Sequence, residues 1–165
     1  MNLPKNIFKA YDIRGIYDQE LTNESVRLIA MALCDIYEEH NDPIVIGRDG
    51  RLSSETLSST LIQSFLDNGK SVIDIGQVPT PLLYFAVNYF SLNSGIIITG
   101  SHNPKNYNGL KIIMDGHALA GEEIQEIYNR IKLNNFKKNN VKKNTNLKNI
   151  KIDNFYIDAL LKDIK

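Results

Sequence analysis

Thr99-Gly100-Ser101-His102-Asn103-Pro104 sets a hydroxyl, an imidazole and an amide side by side in a short polar stretch. The apolar run Gly95-Ile96-Ile97-Ile98 precedes it, and Asn106-Tyr107-Asn108-Gly109-Leu110-Lys111 follows. A buried strand that ends by presenting a serine in a tight loop is a place to hold a reactive hydroxyl or a phosphate. Gly100 lets the backbone turn without a Cβ clash, and Pro104 fixes the exit from the loop. His102, Asn103 and Lys111 reach an anion at Ser101 if the loop folds back on itself. A serine hydroxyl alone is a weak nucleophile and needs a base, a metal or an anion site beside it. Neighbouring side chains of an extended segment point apart, so His102 is badly placed to deprotonate Ser101, which argues against serine-hydrolase chemistry.

These residues also admit plainer readings. A Ser-His pair occurs in ordinary polar turns, Tyr11 fits a core aromatic, and Arg14 fits a surface charge paired with Asp12. Arg48, Asp49 and Arg51 suit either a charged turn that braces the fold or a contact to substrate.

Three further segments bear on the choice. Phe8-Lys9-Ala10-Tyr11-Asp12-Ile13-Arg14-Gly15, Ile46-Gly47-Arg48-Asp49-Gly50-Arg51 and Gly76-Gln77-Val78-Pro79-Thr80-Pro81 precede the serine stretch in that order. Together the four segments resemble the α-D-phosphohexomutases, the phosphoglucomutase and phosphomannomutase enzymes, and most closely their bacterial branch. The resemblance runs from about Phe8 to Leu133 and implies the amino-terminal domain I of such an enzyme. It assigns Ser101 a phosphate that is given to a phosphorylated hexose and regained from the other end of the same sugar. Hexose 1-phosphate and hexose 6-phosphate would interconvert through a 1,6-bisphosphate. The implied catalytic residues are Ser101, His102, Arg14 and Lys111; Tyr11 and Asn103 would bind substrate. The implied cofactors are Mg²⁺, held by Ser101 through its phosphate, and glucose 1,6-bisphosphate or its mannose analogue as activator. The family's remaining metal ligands are aspartates of a later domain, and no Asp-Gly-Asp-x-Asp segment occurs in this sequence. The expected partners are a phosphorylated hexose and the remaining domains of a longer enzyme, so the 165-residue chain alone is expected to be inactive. Phosphoglucosamine mutase and a non-catalytic sugar-phosphate-binding module are the alternatives.

The elements that must position these residues alternate between strand and helix. That pattern predicts an α/β fold with a mixed, mostly parallel sheet and helices on both faces. Val26, Ile29, Leu33, Ile36 and Tyr37 recur at helical spacing over 23–39, capped by Thr22 or Asn23. Ile44-Val45-Ile46 reads as a buried strand. Ser53 or Ser54 is expected to cap a helix with Leu57, Leu61 and Phe65 inside, stopping at Gly69. Ser71 to Ile75 is the next strand, Pro81 opens a helix to about Phe90, Ser94 to Thr99 delivers the serine loop, and Leu110 to Met114 returns beside it. Gly121 to Leu133 is the last helix of the domain, with Glu122 and Glu123 in its first turn. Residues 134–151 are rich in Lys and Asn and read as a connector, and 152–165 as the start of a truncated second domain.

Bulk properties narrow the partners. Lys plus Arg and Asp plus Glu number 19 each, so no global field draws the chain to nucleic acid or to a membrane surface. No apolar run approaches the length of a membrane span, and the amino terminus lacks a signal-peptide core, so a cytoplasmic protein is expected. The single cysteine, Cys34, lies among apolar residues and is expected to be an inert, buried thiol.

Overall fold

The computed structural model describes residues 3–39, 41–134, 136 and 145–163. Its strands are β1 (Ile13–Ile16), β2 (Ile44–Arg48), β3 (Val72–Gln77), β4 (Gly95–Ile98), β5 (Tyr107–Met114), β6 (His117–Ala118) and β7 (Leu147–Asn149). The helices are α1 (Asn23–Ile36), α2 (Leu52–Asp67), α3 (Thr80–Tyr89), α4 (Glu122–Leu133) and α5 (Ile152–Asp163). The strands form one sheet in the order β1-β5-β4-β2-β3-β7, with β6 on β5. β5 pairs antiparallel with β1, β4 and β6, whereas β2 pairs parallel with β3 and β4, and β3 with β7. Among the described residues β5 alone therefore runs against the rest, giving the mixed, mostly parallel sheet expected.

The period-2 alternation of the strands divides the core between the two faces. Ile44, Ile46, Ile96, Ile98 and Ile112 join residues of α1, α2 and α4 in one cluster. Val45, Ile97 and Ile113 join residues of α3 in the other, where Ile152 and Tyr156 of α5 also pack. Helices thus cover both faces.

Local signals explain most boundaries. Thr22 caps α1: its Oγ1 accepts from the Ser25 N–H at 3.1 Å, and the Ser25 hydroxyl accepts in return from the Thr22 N–H at 3.2 Å. Pro81 lies in the first turn of α3. Gly69 follows α2 with φ of 79°, the left-handed conformation that ends a helix. The cap expected at Ser53 or Ser54 is a correction. α2 begins at Leu52 with Arg51 as its cap, and no side-chain cap hydrogen bond is made there. Both serines are instead inside the first turn, where their hydroxyls meet Asn108 of β5 and, for Ser54, Asp49 of the preceding turn.

Cys34 is buried as expected, and burial pushes its thiol up to about 12. Of the Lys/Asn tract, residues 135 and 137–144 lie outside the described residues. Its last part contributes β7, an exposed edge strand whose composition gives no strand signal.

Candidate active site

The site sits where β2 and β4 end and β5 begins, the carboxyl edge of parallel strands at which α/β sheets hold ligands. Two walls face each other there.

The first wall is the loop after β4. Ser101 is exposed and has φ of 51°, a left-handed conformation unusual for a residue with a Cβ. Its N–H donates to Thr99 Oγ1 at 3.0 Å, and both the N–H and Nδ2 of Asn103 donate to the Gly100 carbonyl, each at 3.0 Å. Beneath the loop lies the turn after β2. Asp49 Oδ2 accepts from the Gly100 N–H at 3.0 Å; Oδ1 accepts from the Arg51 N–H at 3.0 Å and the Ser54 hydroxyl at 2.5 Å. Burial pushes the Asp49 carboxyl up, but hydrogen bonds from Ser54, the Arg51 and Gly100 backbone and Thr99 outweigh it and hold it below its ordinary value. The Arg51 guanidinium then fans out under the loop. Nη1 donates to the carbonyls of Pro104 (2.7 Å) and Tyr107 (3.1 Å), and Nη2 to those of Ser101 (3.1 Å) and Asn103 (2.7 Å). A Cβ on Gly100 would stand 2.3 Å from this guanidinium, so a larger residue there would push Arg51 off the loop carbonyls. Asn108, fully buried, donates to the hydroxyls of Ser53 and Ser54 at 2.8 and 2.9 Å and ties the start of α2 to β5.

The second wall is β1 with the segment before it. β1 pairs with β5 so that Ile13 faces Leu110 and Arg14 faces Gly109. Carried one step further, that register brings Asp12 alongside Lys111, and Arg14 lies on the same side of the strand as Asp12. The Asp12 carboxylate accepts from Arg14 and, at 3.4 Å, from Lys111. Two cations therefore share one anion, and both remain about a quarter exposed. Tyr11 is 76% exposed, which rules out a core aromatic. A cleft of about 710 Å³ lies between the walls, lined by Lys9, Tyr11, Asp12, Arg14, Asn103 and Tyr107.

Tyr11, Arg14 and Asn103 thus line one cleft, with Lys111 joined to it through Asp12. Ser101 and His102 sit exposed on the loop beside it. Arg14 does pair with Asp12, as its plainer reading had it, but inside the cleft. Asp49 and Arg51 brace the loop; the GRDGR segment (Gly47–Arg51) was visible in sequence, yet only contacts some fifty residues away reveal the role. The carboxylates at the loop and cleft are already engaged: Asp49 by hydrogen-bond donors, Asp12 by cations, and Glu20 by Asn6 and the Ile16 N–H. No group of three or more His, Cys, Asp or Glu able to hold a metal occurs among the described residues. The described residues around the loop therefore do not form a metal site by themselves.

Comparison with known proteins agrees with this geometry. The model of the family "Phosphoglucomutase/phosphomannomutase, alpha/beta/alpha domain I" matches residues 5–138. The chain is 48% identical over 134 residues to a phosphomannomutase/phosphoglucomutase of Pseudomonas syringae pv. tomato, covering 81% of this chain and 29% of that protein. It is 45% identical over 136 residues to a phosphoglucomutase of Neisseria meningitidis serogroup B, covering 82% and 30%. A crystal structure of a phosphoglucomutase/phosphomannomutase family protein from Burkholderia thailandensis superposes with a TM-score of 0.89 at 34% identity, over 99% of this chain and 37% of that one. The chain therefore spans under a third of the length of these curated relatives. With the serine loop, its arginine brace and the paired cations on a sheet of this topology, the chain belongs to the phosphoglucomutase/phosphomannomutase family and carries its α/β/α domain I.

Proposed function

We propose that this chain is the phosphoryl-carrying domain of a phosphohexomutase that interconverts hexose 1-phosphate and hexose 6-phosphate, with Ser101 as the carrier. The observation that carries the reading is the convergence of Arg14 and Lys111 on Asp12 beside an exposed, conformationally fixed Ser101. Phosphoryl transfer is catalysed mainly by positioning and by neutralising oxygen charge, and this arrangement supplies both. The free hydroxyl of a hexose monophosphate attacks the phosphorus of phosphorylated Ser101 in line. A new phosphorus–oxygen bond forms to the sugar as the bond to Ser101 Oγ breaks, leaving a hexose 1,6-bisphosphate. Lys111 gives a proton to the departing serine oxygen and recovers one from the sugar hydroxyl. Arg14, its planar fork partly released from Asp12, balances charge on the moving phosphoryl group. His102 hydrogen-bonds the seryl phosphate, and Tyr11 and Asn103 hold the sugar. The bisphosphate then reorients and returns its other phosphate to Ser101 by the reverse step.

Mg²⁺ on the seryl phosphate would supply further charge neutralisation, its other ligands coming from outside these residues. Sugar selection falls to regions corresponding to the remaining length of the relatives, so the 165-residue chain alone turns over negligibly. No described helix is long and apolar enough to cross a membrane.

The test is a coupled assay of the protein at its full natural length, with Mg²⁺ and glucose 1,6-bisphosphate. Interconversion of glucose or mannose 1- and 6-phosphates that disappears in Ser101→Ala supports the reading. Turnover confined to glucosamine phosphates moves the chain to the phosphoglucosamine branch. Tight binding of sugar phosphate without turnover, unchanged in Ser101→Ala, makes it a binding module.

A further inference from the structure

We infer that Arg51 is a positioning residue for phosphoryl transfer: it fixes the Ser101 loop in its reactive shape without touching substrate. The inference rests on Ser101 being the phosphoryl carrier.

Arginine offers five N–H donors in a rigid fork. In this site the four on the terminal nitrogens are hydrogen-bonded. They point at the carbonyls of Ser101, Asn103, Pro104 and Tyr107, and Nε lies 3.3 Å from Asp49 Oδ2. Its terminal nitrogens are spent on the loop rather than on a ligand, so Arg51 differs in kind from Arg14, whose one partner among the described residues is a carboxylate it shares with Lys111. Ser101, Asn103 and Pro104 lie in no strand or helix that would collect their carbonyls. Without Arg51 the carbonyls of Ser101 and Asn103 would turn to water, that of Pro104 would keep only the Tyr107 N–H at 3.0 Å, and the left-handed backbone at Ser101 would lose part of what holds it there.

The brace is in turn fixed from below. Asp49 holds the guanidinium through Oδ2 and the start of α2 through Oδ1, while Gly100 leaves the space the guanidinium fills. The loop is consequently built before any ligand arrives. A 1 Å displacement of a reacting group costs on the order of 100-fold in rate. Lysine cannot replace this arginine, because one ammonium with three donors does not span carbonyls from positions 101 to 107.

The experiment measures the rate at which Ser101 gains phosphate from glucose 1,6-bisphosphate, by intact-protein mass spectrometry, in the protein at its full natural length. Wild type, Arg51→Ala and Arg51→Lys are compared with Mg²⁺ present, and each rate is normalised to the folded fraction from circular dichroism. Both variants are expected to load about 100-fold more slowly, at an unchanged half-saturating bisphosphate concentration, in keeping with the positioning effect above. Added guanidinium ion at low millimolar concentration is expected to restore part of the rate in Arg51→Ala and none in Arg51→Lys. Should Arg51→Ala not fold, Arg51→Lys decides alone. A wild-type loading rate per folded molecule in Arg51→Lys overturns the inference, as does a defect seen only as weaker bisphosphate binding. A wild-type protein that never gains phosphate on Ser101 strikes the carrier reading itself, an outcome separable from a fault in the brace because it needs no variant.

Discussion

The two walls of the cleft each contain an arginine, and the two are used in opposite ways. On the loop wall Arg51 spends its donors on backbone carbonyls and is 17% exposed, braced by an Asp49 that is itself held by backbone N–H groups and a serine. On the β1 wall Arg14 and Lys111 divide one carboxylate between them and remain open to the cleft, 26% and 28% exposed. The first arrangement is saturated and resists change. The second is under-satisfied, with positive charge in excess, and so is ready to meet an anion. Residue type therefore does not separate scaffold from chemistry here; the partners do. Gly109 is the seam between the walls, since a Cβ there would meet the Ile13 carbonyl at 2.4 Å and the Thr99 carbonyl at 3.2 Å.

The largest expected effect separates function from stability on the open wall. Arg14→Ala is expected to slow phosphoryl loading of Ser101 by about 100- to 1,000-fold, the usual loss when one charge-stabilising donor is removed. The same change should cost under about 1 kcal/mol in urea unfolding, because its ion pair is partly solvated. A large stability loss would place Arg14 with the scaffold instead. Next is the seam. Gly109→Ala is expected to destabilise the fold by about 1–3 kcal/mol, since both clashing atoms are backbone and cannot rotate away; wild-type stability by thermal unfolding would show that β1 is free to shift.

A smaller effect tests the saturated wall by acid. The Asp49 carboxyl is held below its ordinary 3.8, so its contribution is complete above that pH and fades as pH falls through the lowered value. The Gly100 amide, which donates to Asp49, should keep its NMR shift down to that value and move only below it. Movement at higher pH would mean the carboxylate is not held. The smallest effect concerns an exposed pair that does not line the cleft, which should behave like the open wall. Glu123 accepts from His117 at 2.7 Å and raises the imidazole above its ordinary 6.5, chiefly through that hydrogen bond. The stabilisation it gives is present below 6.5 and lost as pH rises through the raised value. Glu123→Gln should return the His117 titration toward 6.5 in an NMR pH series, with unfolding barely changed.

Much of the fold is legible along the chain because its helices are long enough to show a period and its central strands are continuous apolar runs. Val26, Ile29 and Leu33 mark α1, and Gly95-Ile96-Ile97-Ile98 marks β4 as buried on both faces. Short elements leave no such trace. β1 is four residues and β7 three, and the latter lies exposed in a Lys/Asn tract, so neither announces itself. The start of α2 misleads for a chemical reason. Ser53 and Ser54 have the right type for a cap, but their hydroxyls are taken by Asn108 and Asp49 from other parts of the chain. The site divides in the same way. Ser101, Arg14, Lys111 and Tyr11 stand out because the segments carrying them resemble a known family. The division of labour between Asp49 with Arg51 and Asp12 with Arg14 is set by pairings across 50 to 99 residues, which no local pattern encodes.

The central claim is that Ser101 carries the phosphate, and peptide mass spectrometry tests it most directly. The protein at its full natural length is incubated with Mg²⁺ and glucose 1,6-bisphosphate, digested, and the peptide containing Thr99–Pro104 is sequenced. The account predicts one phosphate on Ser101, absent from the Ser101→Ala protein and discharged by adding excess glucose 6-phosphate. Phosphate on another residue, or none on Ser101 in a protein that turns over substrate, would contradict it.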